Sequence, residues 1–538
     1  MTVESAPDSP AALLNAMSLE EKIGQTLIIG FDGLSVDAGL REMIVERHIA
    51  GVILFARNVE SPRQVADLCA ELQTIALESG NPGLIIAIDQ EGGRVARLTE
   101  ATGFTEFPGA MAVAASGSPE NARLVAQAMA REMKAVGINA DFAPDLDVNN
   151  NPLNPVIGVR SYGSQPEQVA AFGSAAIDGL QGENVLAFGK HFPGHGDTAV
   201  DSHVSLPSVP HARERLNAVE LVPFRAAIED SVAGIMSAHV TFPAIDPAAG
   251  RPATLSSKVL TDLMRGELGF SGLVITDSLE MGALGEAGYP VPLAAATALQ
   301  AGADLLLFNR DHSLHKQAFD EVKQWLADGK IPEARLDEAV LRILTAKERF
   351  GLLQPQLALA PGQVGQAEAR ALSRQIAAQS ITLLRDQAGL LPLKKDAPYL
   401  VVEVPGAEGL GHTLGLTYLA VSDKPDAKEI QQALELARDG RTVIVATTDA
   451  NRNPQQIELV QRLQDAGRPV IWIAMRNPYD LMALPQVGTY LASYGSNPPA
   501  LEALSAVLWG QVEPQGRLPV ELPGLYQPGD GLNHFQEP

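Results

Sequence analysis

A single cysteine, Cys69, occurs in 538 residues. One thiol can form no intrachain disulfide, and neither a thiolate zinc cluster nor an iron–sulfur centre can be built from it. Its surroundings, RQVADLCAELQTIAL, carry a helical pattern and make it an inert core residue. No run of roughly eighteen apolar residues occurs, so no transmembrane helix is expected. The first residues, MTVESAPDSPAALLNAMSLEEKIGQ, open acidic and lack a basic stretch leading into an apolar one. The expectation from this is a cytoplasmic protein without membrane association. Positive charge is also short: 40 Lys and Arg stand against 64 Asp and Glu, for a formal charge of −24, and no basic run breaks the pattern. Nucleic acid and anionic membranes would be repelled. No G-x-G-x-x-G follows a strand and no G-x-x-x-x-G-K-[ST] is present, which argues against a nucleotide site. The G-x-S-x-G elbow of serine hydrolases is missing too.

What remains is a globular composition, 46% apolar and 19% charged. The length exceeds what one ordinary core accommodates, and two domains are expected. Between Gly24 and Asn309, short apolar runs alternate with longer segments of helical periodicity. Eight strands are read at 24–31, 50–56, 84–90, 138–144, 185–192, 234–240, 272–278 and 303–309. Their continuous apolar character suits strands covered on both faces, and eight βα units in about 300 residues match a TIM-type (β/α)8 barrel. A doubly wound open sheet predicts the same local pattern. Polar residues gather at the carboxyl ends of these runs: Arg57, Asp89, Asp145, Lys190 with His191, His239, Asp277 and Asn309. In a barrel those ends converge on one face, where the active site is built.

After Phe350 the sequence turns to GLLQPQLALAPGQVG, which reads as a linker over 351–365 between a barrel of 1–350 and a second domain of 366–538. The second domain is read as a smaller α/β sandwich. It has a helix from about Gln366 to Leu384, strands at 399–405, 442–448 and 469–475, and two further short strands with a helix at its end.

Asp89 and Asp277 each end an apolar strand, where a carboxylate is costly unless it faces a polar pocket. Either could simply cap the following helix. Asp89, however, precedes Gly92, Gly93, Arg94 and Arg97, a loop suited to bringing guanidinium groups to a hydroxyl-rich ligand. The stretch KHFPGHGDTAVDSHVSLP holds three of the ten histidines, His191, His195 and His203. Lys190 and His191 are adjacent in a strand and should point to opposite faces, so a bend after Gly189 is needed for both to meet one ligand. Pro193 to Thr198 should be a mobile loop. Asp201 and His203, two apart in extended chain, lie on the same side, where a carboxylate can orient an imidazole and raise its basicity. His191, His195, Asp201 and His203 are also acceptable metal ligands, but their spacing fits no rigid metal scaffold. An aldolase-type role for Lys190 is a further alternative.

Four stretches, KHFPGHGDTAVDSHVSLP, IDQEGGRVARL, VIGVRSYG and ITDSLEMGA, together resemble a β-N-acetylglucosaminidase of glycoside hydrolase family 3. SITLLRDQAGLLPL and GRLPVELP resemble that family's second domain, so the resemblance spans nearly the whole chain. Tyr162 stands where the family more often shows Phe.

The resemblance implies a retaining glycosidase with no metal and no cofactor. Asp277 would be the nucleophile, His203 the acid/base, and Asp201 the residue that orients His203. Asp89, Arg97, Arg160, Lys190 and His191 would bind the terminal N-acetylglucosamine. Family β-glucosidases instead take their acid/base from a Glu of the second domain and lack the Pro-Gly-His-Gly-Asp-Thr loop. The implied substrate is a GlcNAc-terminated saccharide, such as a muropeptide or amino-sugar fragment met in peptidoglycan recycling, and no obligate protein partner is implied. A histidine acid/base, unlike a carboxylate, does not repel an anionic acceptor, which leaves phosphorolysis open beside hydrolysis. A metal-dependent hydrolase and a non-catalytic carbohydrate-binding barrel are the more distant alternatives.

Overall fold

The computed structural model describes residues 9–202, 205–438 and 440–535. Eight strands form the first sheet: β1 Leu27–Ile29, β2 Gly51–Leu54, β3 Ile85–Ile88, β4 Ala140–Asp141, β5 Leu186–Phe192, β6 Gly234–Ser237, β7 Leu273–Thr276 and β8 Leu306–Leu307. All adjacent pairs are parallel, and the order runs β7-β6-β5-β4-β3-β2-β1-β8. The ring closes where Ile275 bridges Leu305 in parallel and Thr276 N donates to Leu305 O at 3.1 Å. A barrel results, with the eight strands where their apolar runs placed them.

The two-residue period of a strand divides its side chains between two cores. Ile28, Ile53, Ile85, Ala87, Phe142, Leu186, Phe188, Met236, Ile275 and Leu307 fill the interior. Their neighbours Leu27, Ile29, Val52, Leu54, Ile86, Ile88, Val274 and Leu306 pack under the helices outside. Phe142 meets Phe188 edge to face at 5.3 Å, and Gly234 is the residue that leaves room for the Phe188 ring, since a Cβ there would overlap it. The covering helices Pro62–Glu78, Pro119–Ala135 and Pro166–Gly182 each start on a proline, whose fixed φ suits a first turn. Cys69 lies inside the first of these, 1% exposed. Burial pushes its thiol pKa well above the ordinary range.

Residues 381 onward build a second sheet from β9 Thr382–Asp386, β10 Tyr399–Glu403, β11 Tyr418–Ala420, β12 Thr442–Thr447, β13 Val470–Ala474 and β14 Thr489–Ala492. Its order is β11-β10-β12-β13-β14-β9, with only β9 antiparallel. Two expectations are corrected here. The helix expected to reach Leu384 stops at Ser380, because Thr382–Asp386 pairs with β14 and gains ladder hydrogen bonds that a longer helix would forgo. Of the two short strands expected in the final segment, β14 forms, but no strand follows the last helix among the described residues; Pro519 O accepts there from Ser164 N at 3.3 Å and Gln168 Nε2 at 3.1 Å, fastening the tail to the barrel.

The two sheets share a seam. Met111, Ala112, Ala115 and Val159 of the barrel half belong to the second core. Arg517 N donates to Ala115 O at 2.8 Å and Asn497 Nδ2 to Phe107 O at 3.2 Å. Among the described residues, no helix is long and apolar enough to cross a membrane.

Candidate active site

A cavity of about 370 Å³ opens at the carboxyl ends of the barrel strands. Asp89, Glu91 and Arg97 enter it from the loop after β3, Arg160 from the loop after β4, Lys190 and His191 from the end of β5, and Asp277 from the end of β7. Six of the eight residues given a catalytic or binding role by the resemblance therefore meet in one place, with His195 and Asn309 beside them. Asp201 and His203 are the others. Asp201 is described, in the chain just beyond Ala199 and Val200, and His203 lies outside the described residues.

Lys190 and His191 both reach the cavity, which regular pleating would forbid. The register of β5 against β6 shifts between Gly189 and Phe192. The anticipated departure after Gly189 is thus present.

A buried charge network lines the floor. Lys190 Nζ lies 3.0 Å from Asp89 Oδ1 and 2.6 Å from Glu91 Oε1. Arg160 grips Glu91 with both arms, Nε to Oε2 at 2.9 Å and Nη2 to Oε1 at 2.8 Å, and Arg97 Nη2 reaches Asp89 Oδ2 at 3.3 Å. Burial alone would raise the Glu91 carboxyl, but Arg160 and Lys190 outweigh it and hold it far below the usual range. Burial would discharge Lys190 and Arg160 in turn, but Glu91, joined by Asp89 at Lys190 and by Asp145 at Arg160, raises both. All three stay ionised at any ordinary pH.

His191 belongs to this network through both ring nitrogens. Nδ1 lies 2.7 Å from Asp147 Oδ2 and Nε2 lies 3.3 Å from Arg160 Nη2. Because guanidinium can only donate, Nε2 must accept and Nδ1 must carry the proton. Burial, then the Arg160 charge, pulls the His191 pKa down to about 4. Beneath it, burial lifts Asp145 to about 8, with Asp147 close by, and lifts Asp147 to about 6. Asp145, Asp147 and His191 are three donors close enough to surround a cation. They fit one poorly: both His191 nitrogens are taken, and Arg160 Nη2 stands 3.6 Å from Asp145 Oδ2, where its charge opposes a second cation.

The Pro193–Thr198 loop differs from expectation. Apart from half-buried Asp197 it is buried, and only Ala199 and Val200 emerge into solvent. Asn154 Nδ2 donates to His195 O and Gly196 O, both at 2.9 Å, and His195 N donates to Asp147 Oδ1 at 2.6 Å. The His195 ring meets Thr198 Oγ1 at 2.8 Å and Ser202 Oγ at 3.0 Å. Burial lowers its pKa to about 3, with the neighbouring His191 adding to the effect. His195 is a neutral brace that leads the chain toward Asp201. As metal ligands, His191 and His195 have no free nitrogen to offer.

Asp277 accepts a hydrogen bond from Ser278 N at 2.7 Å. Ser278 O is in turn held by His239 Nε2 at 2.9 Å, while His239 Nδ1 meets Thr254 Oγ1 at 2.9 Å. His239 thus fixes the turn after Asp277 and does not line the cavity. Arg57 is also outside it, hydrogen-bonded to Phe31 O and Asn309 O and paired with Asp32 at 2.8 Å. Tyr162 is buried and stacks on Phe172.

Sequence reasoning missed Glu91, Asp147, Asn154 and Ser202. Glu91 had a signal, since it stands two residues after Asp89 and shares its side of an extended chain. Asp147 had one in the Asp-Leu-Asp spacing after β4. Asn154 acts through hydrogen bonds to His195 O and Gly196 O far along the chain, and Ser202 through the His195 ring, and neither left one.

The second half of the chain touches this site from above. Tyr479, fully buried, meets Asn149 Nδ2 at 2.7 Å and donates to Asn149 O at 3.3 Å. Asn451 Nδ2 donates to Pro152 O at 3.0 Å, and Asn477 packs on Gly158, where any Cβ would collide with it. These contacts hold the 149–158 loop, which supplies Val156 to the cavity wall and leads straight into Arg160.

Residues 18–346 match the family model described as glycosyl hydrolase family 3 N terminal domain, and residues 381–530 that of the family 3 C-terminal domain. A curated relative, beta-hexosaminidase A of Pseudoalteromonas piscicida, is 34% identical over 544 residues, covering 89% of this chain and 90% of that one. The beta-N-acetylglucosaminidase/beta-glucosidase of Cellulomonas fimi is 30% identical over 547 residues, covering 94% of each. Among solved structures, a glycoside hydrolase family 3 beta-N-acetylglucosaminidase from a Paenibacillus species superimposes with a TM-score of 0.89 at 44% identity, covering 94% of this chain and 99% of that one. A beta-glucoside phosphorylase superimposes with a TM-score of 0.82 at 25% identity, covering 95% and 96%.

Proposed function

The chain belongs to glycosyl hydrolase family 3, and from that premise we propose that it is a retaining exo-β-N-acetylglucosaminidase. The names of its relatives support the sugar, and the cavity supports the chemistry. The observation that carries the reading is the convergence of Asp277 with Asp89, Arg97, Arg160, Lys190 and His191 on one small cavity. A terminal sugar ring needs a dense, fixed set of polar groups on one side and a nucleophile below its anomeric carbon, and this pocket offers both.

In this reading Asp89, fixed between Lys190 and Arg97, accepts hydrogen bonds from ring hydroxyls, and the two cations donate to others. His191 keeps Arg160 in place. Asp277 attacks the anomeric carbon as the bond to the leaving oxygen breaks, and His203 gives that oxygen its proton. Asp201 favours the imidazolium that does this. His203 then takes a proton from water, whose oxygen displaces Asp277 and restores the β configuration. Two general devices contribute: a fixed geometry for attack, and proton transfer by a group whose pKa lies near neutrality. The natural substrate we infer is a GlcNAc-terminated cell-wall fragment in the cytoplasm.

A second reading, phosphorolysis, is favoured by the likeness to a beta-glucoside phosphorylase. One panel separates the readings: aryl β-glycosides of GlcNAc, glucose and xylose, each assayed with and without phosphate. Fastest turnover of the GlcNAc glycoside, with free β-GlcNAc as first product, is expected. A preference for glucose, or an α-configured product, sinks the proposal; a sugar phosphate transfers it to phosphorolysis.

A further inference from the structure

In a chain of net charge −24, Arg452 and Arg476 of the second half and Arg94 of the barrel lie close to the cavity, just outside the residues that line it. Arg476 and Asn477 follow β13 and both hold Asp449, Arg476 Nη1 at 2.6 Å from Oδ2 and Asn477 Nδ2 at 2.7 Å from Oδ1. Arg452 Nη1 stands 3.8 Å from the same Asp449 Oδ2. Asn477 rests on Gly158, two residues before Arg160, and Asn451 grips Pro152 O. The second half of the chain thereby meets the cavity beside Val156, one of its walls. Val95 is another wall, and the residue before it is Arg94. Arg94 is exposed and makes no hydrogen bond or ion pair among the described residues.

One carboxylate, Asp449, therefore faces two guanidinium groups, those of Arg452 and Arg476, and leaves one positive charge in excess, to which nearby Arg94 adds its own. The excess is felt electrostatically. Burial lowers the Arg476 pKa, Asp449 opposes that, and Arg94, Arg452 and Arg160 lower it further, which places all four arginines in one neighbourhood. Arg476 Nε is buried with no hydrogen-bond partner. A buried donor without an acceptor is costly, and an arginine with no partner at the mouth of a cavity is a poor structural choice. Both defects are repaired by an oxyanion. Guanidinium forks suit carboxylate and phosphate alike, and the low dielectric of a cleft wall strengthens the attraction. The carboxyl ends of β12 and β13, from which Asp449 and Arg476 extend, are also where parallel α/β sheets commonly bind ligands.

We propose that Arg94, Arg452 and Arg476 form an oxyanion subsite on the cavity rim, built jointly by the barrel and the second domain. It sits on the side where the leaving group departs and the acceptor enters, an assignment that rests on the glycosidase reading. The oxyanion has two sources. One is a carboxylate carried by the aglycone. The other is free phosphate acting as acceptor, whose oxygen would bond to the anomeric carbon as Asp277 leaves, its proton having passed to His203.

The test compares the 4-carboxyphenyl β-glycoside of GlcNAc with its neutral methyl ester, in the full chain and in Arg94→Gln and Arg476→Gln. The ratio of their kcat/KM values should favour the carboxylate in the native protein, shrink with added salt, and fall by about tenfold in either variant. Arg94 is exposed, so R94Q reads the subsite even where R476Q folds poorly. In the phosphate arm, a glycosyl phosphate product whose phosphate KM rises in R94Q identifies phosphate as the source. Free sugar alone, with the charge preference intact, identifies the aglycone carboxylate. A ratio that neither variant changes, together with no effect of phosphate, overturns the subsite. Failure to cleave even the neutral ester would condemn the glycosidase reading instead. Calorimetric titration of inorganic phosphate into native and R94Q protein would then decide the subsite alone, equal affinity overturning it.

Discussion

Lys190 Nζ stands 2.6 Å from Glu91 Oε1, and both side chains are at most 3% exposed. Arg160 grips the same carboxylate, so Glu91 serves as the hub on which both cations turn toward the cavity. Lys190→Met removes the cation that Asp89 shares with Glu91 and leaves those two carboxylates only Arg97 and Arg160 as counter-charges. A loss of about 3–5 kcal/mol in unfolding free energy is expected from denaturant titration, together with a raised KM. A variant as stable as the native chain would deny Glu91 this role.

Asp277→Ala should lower turnover of an activated aryl β-GlcNAc glycoside by roughly 10⁴-fold or more, measured as release of the phenol. Added azide should restore release and yield an azide of α configuration, because a small anion can enter from the face the carboxylate vacates. Retained turnover without azide would remove Asp277 from the mechanism.

Replacing His203 by Gly should act according to leaving group. Natural saccharides need protonation of the departing oxygen and should slow by about 10²–10⁴-fold, while an activated aryl glycoside should lose far less in its first step. Equal losses on both substrates would count against an acid role.

A pH effect arises far from the site. Lys347 is fully buried on the helix Glu333–Arg349 with Gln25 Oε1 at 2.9 Å as partner, and burial draws its pKa down to about 7. In the unfolded chain the amine stays protonated up to about pH 10.4. Between those values the unfolded state binds the extra proton, so this residue's contribution to stability rises with pH. Below about pH 7 both states are protonated and the full penalty of a buried charge remains. Lys347→Met should therefore stabilise the protein by about 2 kcal/mol at pH 6 and progressively less toward pH 10, as thermal melts at several pH values will show. A constant difference across that range would contradict the assignment.

Tyr479→Phe deletes one hydroxyl and unpairs Asn149, at a cost of about 1–3 kcal/mol. If the second domain steadies the 149–158 loop, kcat/KM should fall by about tenfold as well. Loss of stability with native kinetics would confine Tyr479 to packing.

The barrel was legible because its signal is local and repeated. Apolar runs such as LIIAI mark a strand on their own, and a polar residue at the end of most runs marks the end that faces the site. Lys190 and His191 were legible as a pair, and the need for a break after Gly189 followed from pleating alone. Glu91 and Asp147 escaped because their meaning lies in what they neutralise across the fold, and no spacing announces a partner 44 or more residues away, as with Asp147 and His191. The Pro193–Thr198 turn was misread for the same reason. Glycine and proline forbid regular structure there, yet Asn154 and Asp147 supply from outside the hydrogen bonds that regular structure would have given. The segment 382–386 looked like the end of a helix because its edge pairing with β14 is set by residues a hundred positions on.

The seam between the two halves also bears on how the protein could be cut. Ending the chain after Phe350 would strip Asn149 of Tyr479, Pro152 of Asn451, and Met111, Ala112, Ala115 and Val159 of the apolar surface that covers them. A shortened enzyme made from this barrel would have to be resurfaced at those four apolar positions and given a new strut for Asn149 before it could work alone.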